Sequence, residues 1–530
     1  MIPSPKLRRS LSASYDLPAG ATVSGPADLV AAVRTALPGL DLLPGDHGAV
    51  DLRLDPALGP EAYRLTVGSR GVEIAAGGRA GAFHAAQSLR QLLPDEAFRY
   101  GAATSWTVPG MRIEDEPRFP WRGLHLDVAR HFFPKREVMR LVDLMAIHKL
   151  NRLHLHLADD QGWRVESRAY PLLHEVSSHR PRSAVHPHGR PEAFDEIPHG
   201  GYYTLADLTE IAAYARARAV TVVPEIDVPG HASAILAAYP SLGATGEPHD
   251  VLDRWGISPA ILSPLPPTVE FLTTIFDELL GALGETPYVH IGGDEVVLDQ
   301  WAASPEIDAY RESLGLATVN DLQAWFLRRL ADALAERGSR AVVWDEAFVS
   351  GGLRQDTVVM PWRGQGVGRR AAAAGHDVVA TAVFPLYFDY AEAASPDEPL
   401  AIGETITVAD VAAFDPAPAG WAPEERERVI GVQAQLWTER VADPRTLDYR
   451  MWPRACALAD IAWGARDDFA GRLEAHLGRL DALGVEYRPP AGPHPWQRRR
   501  PHLPGVVRLD EAMPRLEAMT LDPESTRPSM

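Results

Sequence analysis

The chain has 530 residues, enough for two or three domains with large cores. Its formal net charge of -19 argues against nucleic acid and anionic membrane surfaces as partners, and no run of about 18 apolar residues is available to cross a membrane. Cys456 is the only cysteine, which excludes an intrachain disulfide and a cysteine-based metal site. The segment from Met1 to Leu17 is basic but lacks an apolar signal-peptide core, so we expect a cytoplasmic protein.

Residues 1–115 are predicted to form a small α+β domain. Residues 63–67 and 71–74 alternate between apolar and polar side chains, which is typical of half-buried strands. Residues 80–93 carry apolar side chains at helical spacing, and Pro94 follows directly. No acid–base constellation stands out in this sequence, so we expect the domain to give structural support.

From residue 117 onward, short apolar strand patterns alternate with helical ones. Eight strands are predicted, at 123–128, 152–157, 220–226, 288–291, 341–344, 357–360, 378–382 and 429–434. This alternation predicts an α/β fold, a (β/α)8 TIM barrel over residues 116–488. An open doubly wound sheet is the alternative, disfavoured because no glycine-rich dinucleotide fingerprint follows a strand. Residues 489–530 are predicted to be a C-terminal extension, solvated or strap-like.

Polar and aromatic residues collect where the predicted strands end, which is where TIM barrels place their active sites. In chain order they are Asp127 and Arg130, Asp159 and Trp163, Asp227 and His231, Asp294 and Glu295, Asp345 and Glu346, Trp362 and Arg363, Tyr387 and Asp389, and Trp437 and Glu439. Any one of them could be a helix cap or a strand-end turn. Their convergence on one barrel face favours a functional site.

The stretch from Tyr288 to Glu295 is predicted to hold the chemistry. A buried strand runs into Gly292 and Gly293, which suits close approach of another group, and then into two adjacent acids. A lone Asp-Glu pair is usually solvated, but here it falls on the predicted barrel rim. Neighbouring acids at a strand end diverge, so they are poorly placed to flank one bond. We therefore expect one to transfer the proton and the other to serve a different part of the substrate.

Aromatic and charged residues at other strand ends indicate a carbohydrate. Apolar sugar faces pack on indole rings, and charged groups bind the hydroxyls. The predicted walls are Trp344, Trp362 and Trp437, and the predicted hydroxyl ligands are Arg122, Asp389 and Glu439.

Six motifs together resemble the β-N-acetylhexosaminidases of glycoside hydrolase family 20. They are PRFPWRG at 117–123, LDVARHF at 126–132, HLHLADDQGW at 154–163, VPEIDVPGHA at 223–232, HIGGDEV at 290–296 and QAQLWTE at 433–439. The resemblance covers about residues 60–490. It implies an exo-acting, retaining enzyme without a cofactor or metal, which removes terminal N-acetylhexosamine from oligosaccharides.

The resemblance also implies the site roles. Glu295 would be the general acid and then the base, while Asp294 would hold the substrate's 2-acetamido group. That group, rather than an enzyme residue, would be the nucleophile and give an oxazolinium intermediate. Tyr387 would bind the acetamido oxygen, and Asp159 with His231 would form a relay that tunes Glu295. The hydroxyl ligands and aromatic walls would be those named above.

Two rival functions are left open. A metal-dependent barrel hydrolase would use His154 and His156 with His231 and the nearby Asp227 and Asp294. We expect His154 and His156 instead to point toward the helices, because Leu153, Leu155 and Leu157 share the face of Asp159 by alternation. A non-catalytic sugar-binding protein is the second rival. The sequence also leaves open whether the sugar is GlcNAc or GalNAc, and whether the protein is a monomer or a homodimer.

Overall fold

The computed structural model describes residues 1–99, 105–185, 193–284, 286–464 and 468–498. Most of the predicted C-terminal extension, residues 499–530, lies outside the described residues. Residues 489–498 are the described part of that extension and form turns against the end of the barrel domain.

The N-terminal region folds as a mixed sheet with two helices, as predicted. The strands lie in the order Leu7–Leu17, Trp106–Asp115, Tyr63–Gly68, Gly71–Ala76, Val50–Leu54, Thr22–Ser24 and Leu43–Pro44. The helices are Ala27–Ala36 and Arg79–Arg90. They pack on the sheet because their apolar sides, including Leu29, Val33, Phe83 and Leu89, are buried in one cluster with the strand residues.

Eight parallel strands close into a barrel, so the predicted TIM barrel is confirmed and the open sheet is wrong. They are β1 (Trp121–Asp127), β2 (Arg152–His156), β3 (Thr221–Glu225), β4 (Tyr288–His290), β5 (Arg340–Trp344), β6 (Val358–Met360), β7 (Val378–Ala380) and β8 (Val429–Ala434). Pairing of β8 with β1, beginning at Gly431 opposite Trp121, closes the barrel.

The longer helices connect these strands or follow the last of them, and they bury apolar side chains against the barrel. They are Lys135–Ile147, Leu205–Ala217, Pro266–Leu283, Pro305–Ser313, Val319–Glu336, Gln365–Ala373, Pro444–Met451, Arg454–Trp463 and Phe469–Ala482. The apolar stripe Val138, Leu141, Val142 and Met145 is buried in the first of them. Thr204 and Asp207 form a capping box at the start of the second. Among the described residues, no helix is long and apolar enough to span a bilayer.

Shorter elements lie in the loops at the barrel ends. The helical turns are Leu172–Glu175, Ser233–Ala238, Asp299–Ala303, Asp345–Ser350, Val383–Leu386, Val408–Ala413 and Pro423–Glu427. The short strand pairs are Ala158–Asp159 with Gly162–Trp163, His179–Arg180 with His199–Gly200, and Tyr390–Ala391 with Ile402–Thr405.

The predicted direction of the β2 histidines is wrong. Leu153 and Leu155 pack in the large core cluster toward the helices, while His154 and His156 are fully buried inside the barrel. The prediction extends the alternation of β2 to Asp159, but β2 ends at His156 and Asp159 belongs to a separate short strand. A two-residue period does not continue across such a break.

Candidate active site

A cavity of about 200 Å³ opens at the C-terminal ends of the barrel strands. It is lined by Arg130, Asp159, Asp227, His231, Asp294, Glu295, Trp362, Val383, Tyr387, Asp389, Tyr390, Ile402, Trp437 and Glu439. A larger groove of about 890 Å³ is lined mainly by residues 248–259 and holds none of these groups. The predicted catalytic acids therefore lie at the smaller cavity.

The end of β4 brings the two adjacent acids into the cavity through a tight backbone turn. Gly292 has φ 63° and Gly293 has φ 97°, in the left-handed region that favours glycine. A Cβ at Gly292 would lie 1.5 Å from Oδ1 of Asp227. The Gly293 N–H donates to the same oxygen at 3.2 Å. The close approach that the two glycines predicted is therefore made by Asp227 of the chain itself.

His231 contacts both acids and connects them to Asp159. Its Nε2 lies 3.4 Å from Oε2 of Glu295 and 4.0 Å from Oδ2 of Asp294. Its Nδ1 lies 3.2 Å from Oδ1 of Asp159. The side chain of Glu295 is 33% exposed and that of Asp294 only 12%. Glu295 thus stands at the cavity mouth and Asp294 deeper inside.

The deeper acid shares its surroundings with Asp227. Burial, and then the charge of Asp227, raise the pKa of Asp294 well above its ordinary value. Burial also raises the pKa of Asp227 to about 7. Two buried carboxyls so close together cannot both ionise easily. Ionisation of one carboxyl therefore disfavours ionisation of the other.

Asp389, Glu439 and Arg130 form the far wall of the cavity. Burial, and then the charge of Glu439, raise the pKa of Asp389 to about 8. Burial raises the pKa of Glu439 as well, and the Arg130 charge opposes that rise. Within the described residues, Asp389 Oδ1 and Glu439 Oε2 are buried without a hydrogen-bond partner, as is Asp294 Oδ1. Buried acceptors of this kind are ordinarily hydrogen-bonded, so the cavity is prepared for a ligand rich in donors.

Three of the four predicted aromatic residues line the cavity together with Tyr390, and the fourth, Trp344, does not. Tyr387, Trp362 and Trp437 are at its surface, with the Tyr387 and Trp437 ring centroids 6.3 Å apart. The indole N–H of Trp362 donates to Glu346 at 2.8 Å. Trp344 is fully buried, with its ring centroid 6.0 Å from that of Trp437. The structure places it behind the wall rather than on it.

The structure does not bring Arg122 to the cavity, which corrects its predicted role. Arg122 lies near the start of β1, at the opposite end of the barrel, and forms an ion pair with Glu61 of the N-terminal domain at 2.5 Å. Arg130, just beyond the end of β1, occupies the position expected of the hydroxyl-binding arginine. Its Nη2 lies 2.9 Å from Oδ2 of Asp159. The sequence indicated Arg130 as a site residue by its place just after a predicted strand. Asp227 is indicated in the same way.

The rival metal site is only partly assembled at the cavity. Asp227, His231 and Asp294 present ligand atoms within 4.8 Å of one another. His154 does not reach them, because its Nε2 faces Glu225 at 3.1 Å inside the barrel. The two-histidine spacing in β2 therefore does not build a metal site at the cavity.

Two family models match the chain. Glycosyl hydrolase family 20, catalytic domain, matches residues 119–466, and glycosyl hydrolase family 20, domain 2, matches residues 1–116. The chain belongs to glycoside hydrolase family 20. It is a glycoside hydrolase on the TIM barrel of that family, in agreement with the resemblance of residues 290–296.

Relatives within family 20 support the assignment over most of the chain. A β-hexosaminidase of Porphyromonas gingivalis is 35% identical over 92% of this chain, which spans only 60% of that relative's length. A β-N-acetylhexosaminidase of Cellulomonas fimi is 37% identical over 84% of each chain. The family 20 exo-β-N-acetylglucosaminidase of Vibrio harveyi, solved with N-acetylglucosamine, has a TM-score of 0.82 and 31% identity, covering 92% of this chain and 78% of its own.

Proposed function

We propose that the chain is an exo-acting, retaining β-N-acetylhexosaminidase. It hydrolyses terminal non-reducing GlcNAc or GalNAc residues by substrate-assisted catalysis through an oxazolinium intermediate. The observation that carries this proposal is the set of buried carboxyl oxygens on Asp294, Asp389 and Glu439, which have no hydrogen-bond partner among the described residues. A sugar with ring hydroxyls and one amide N–H supplies donors of the kind that these oxygens lack. The names of the relatives point to the same sugar class.

The first step follows from the different depths of the two acids. Glu295, at the mouth, protonates the glycosidic oxygen as the bond from C1 to that oxygen breaks. The carbonyl oxygen of the 2-acetamido group attacks C1 and closes the oxazolinium ring. Asp294, deeper in the cavity, accepts the acetamido N–H and stabilises the positive charge that develops. The Tyr387 hydroxyl donates to the acetamido oxygen and orients it.

The second step reverses the roles of these groups. Water loses a proton to Glu295 and attacks C1, and the ring opens to restore the acetamido group. Two inversions at C1 give net retention. His231, held by Asp159, stabilises the charge on Glu295 between the two steps. The far wall of Arg130, Asp389 and Glu439 closes the cavity beyond one sugar ring, which supports exo action. The volume of about 200 Å³ is below the roughly 300 Å³ at the lower end of drug-sized sites.

Two substitutions test the division of labour between the acids. Glu295→Gln should lower kcat/KM by about 100-fold or more on substrates with poor leaving groups, because it removes the acid. Asp294→Asn should lower kcat/KM for a chromogenic N-acetylglucosaminide. The same Asn variant should hardly change the rate on a plain glucoside, which the parent already cleaves poorly. Glu306→Gln, an exposed helix residue, is the matched control.

Fast cleavage of plain glucosides by the parent would contradict acetamido participation. Activity retained in Glu295→Gln would contradict the acid assignment. Activity lost in a chelator and restored by metal would favour the metal-hydrolase alternative. Binding of the sugar without any release of product would favour the sugar-binding alternative. A side-by-side assay on the chromogenic GlcNAc and GalNAc glycosides measures the preference set by Asp389 and Glu439.

A further inference from the structure

A buried carboxylate lies inside the barrel below the cavity, with two hydrogen-bond partners and two further imidazole nitrogens around it. Oε2 of Glu225 lies 2.5 Å from Nδ1 of His156 and 3.1 Å from Nε2 of His154. Oε1 lies 2.8 Å from Nδ1 of His290 and accepts the indole N–H of Trp344 at 2.9 Å. All five residues are fully buried. Among the described residues His154 Nε2 has no hydrogen-bond partner, and His290 Nδ1 accepts the Gly292 N–H, so the hydrogen bonds to Glu225 are those of His156 and Trp344. Two such contacts fit an ionised carboxylate, which accepts hydrogen bonds only.

His156 joins this carboxylate to the relay. Its Nδ1 faces Glu225, and its Nε2 lies 2.7 Å from Oδ2 of Asp159. A neutral imidazole donates from one nitrogen only, so two carboxylate partners require the doubly protonated ring. Burial acts to lower the pKa of His156, but the charges of Glu225 and Asp159 outweigh it and raise that pKa well above its ordinary value. The arrangement is an imidazolium between two carboxylates.

We propose that His156 and Glu225 are positioning residues of the acid–base relay, holding Asp159 ionised and aimed at His231. The inference rests on the proposed function. From Asp159 the contacts continue to His231 at 3.2 Å and from His231 to Glu295 at 3.4 Å. The line of contacts therefore runs from the barrel core to the catalytic acid.

The physical reason for the second carboxylate is charge balance. Asp159 is buried, so it remains an anion only while cations contact it. Arg130, His231 and His156 do so, and the pKa of Asp159 stays well below its ordinary value although burial acts to raise it. An imidazolium in the barrel core is itself unstable without an anion, and Glu225 supplies that anion.

Other ionisable groups surround the same line of contacts. They are His125 on β1, His154 on β2, Asp160 beside Asp159, Asp227 after β3, His290 on β4, Asp294 after β4, and Glu439 after β8. None of them contacts both Glu225 and Asp159 as His156 does, among the described residues.

Glu225→Gln tests the proposal, because it keeps the shape of the side chain and removes the charge. The assay is kcat/KM on aryl N-acetylglucosaminides whose leaving groups range from dinitrophenol to unactivated phenols. Without a fixed Asp159 and His231, Glu295 is a poorer acid. We expect a loss of about 10- to 100-fold on the unactivated substrates, the size of one charged hydrogen bond. The dinitrophenyl substrate, which needs little protonation, should lose little.

His125→Met is the matched control. His125 is equally buried in the barrel and its ring centroid lies 5.8 Å from that of His156, but neither nitrogen has a partner within the described residues. The methionine thioether fills similar space without a polar group. The dependence of kcat/KM on the leaving group should therefore be the same in His125→Met as in the parent. Equal losses of Glu225→Gln on all substrates would overturn the inference and indicate a merely structural role. A parent that released no sugar from any of them would overturn the proposed function as well.

A spectroscopic measurement on the parent does not depend on the folding of any variant at position 225. Nitrogen NMR of the protein labelled at histidine should show both ring nitrogens of His156 protonated at pH 8, assigned by loss of the signals in His156→Gln. A free histidine is neutral there. A neutral tautomer at His156 at that pH would overturn the inference even if the kinetic result agreed.

Discussion

Asp389 shows how a buried carboxyl in the cavity makes stability depend on pH. The carboxyl group is 3% exposed, and its Oδ1 has no partner among the described residues. Burial and the charge of Glu439 raise its pKa to about 8. The folded protein therefore holds a proton on Asp389 that the unfolded chain releases near pH 4. Between these two values the unfolded state binds fewer protons, so stability falls as the pH rises.

Asp389→Asn should remove this pH dependence. Without a sugar, the variant should unfold a few degrees higher than the parent at pH 8, and the gain should shrink toward pH 5, where folded Asp389 is protonated. Thermal unfolding at both values measures it. Asp46→Asn, at an exposed aspartate of the N-terminal domain, is the control and should show no such trend. A gain for Asp389→Asn that is larger at pH 5 than at pH 8 would contradict the assignment.

At the scale of elements, the barrel strands could be predicted because each is a short, buried apolar run. The ends of those strands were equally readable, since Asp159, His231 and Asp294 all follow one and all reach the cavity. The direction in which a strand's side chains point was harder to predict from the sequence. The predicted direction of the β2 histidines is wrong because the two-residue alternation of a strand does not continue past its end.

Arg122 and Trp344 show a different limit of prediction from sequence. Arg122 belongs to a motif that resembles the family, but its place near the start of β1 puts it at the opposite end of the barrel from the cavity. Trp344 does end a strand, yet its indole turns inward to Glu225. Position along a strand could be counted from the sequence. Whether Trp344 or its neighbour Trp437 reaches the cavity depends on packing between strands that are distant in the chain.

The β4 turn is the element whose geometry the site depends on most. Gly292→Ala would place a methyl group 1.5 Å from Asp227 Oδ1 and 2.9 Å from Asp227 Cα, at a φ of 63°. Asp227 would have to shift, and Asp294 with it. We expect kcat/KM to fall by at least about 10-fold, with a lower Tm, since misplacement by 1 Å can lower a rate by about 100-fold.

The control for this turn is Gly281→Ala, in the helix Pro266–Leu283. A Cβ there meets no atom within 4 Å, and its φ is not positive. Alanine should therefore stabilise the helix by up to about 1 kcal/mol and leave kcat/KM unchanged. Parent-like activity of Gly292→Ala would show that the close approach to Asp227 is not required.

At the scale of the whole molecule, buried ion pairs join the N-terminal domain to the barrel at the end opposite the cavity. Nζ of Lys149, just before β2, lies 2.9 Å from Oδ2 of Asp115 and donates to the Tyr63 hydroxyl at 2.8 Å. It also lies 4.5 Å from the ring centroid of Trp463. Asp115 accepts the Trp463 indole N–H at 2.8 Å as well. The two domains are therefore expected to unfold as one unit.

Lys149→Met should destabilise the whole chain and leave catalysis intact. Removing one partner leaves Asp115 as an unpaired buried charge, which lowers the free energy of unfolding by about 3–5 kcal/mol. Urea unfolding followed by tryptophan fluorescence measures that loss, while kcat/KM of the folded variant should match the parent because the cavity lies at the other end of the barrel. Adding Asp115→Asn should recover part of the loss, since no charge is then left unpaired.

Lys6→Met is the control for this prediction. Lys6 pairs with Glu116 at 2.7 Å but its side chain is 51% exposed, so its removal should change stability little. Equal effects of the two lysine substitutions would contradict a role for the buried pair in holding the domains together.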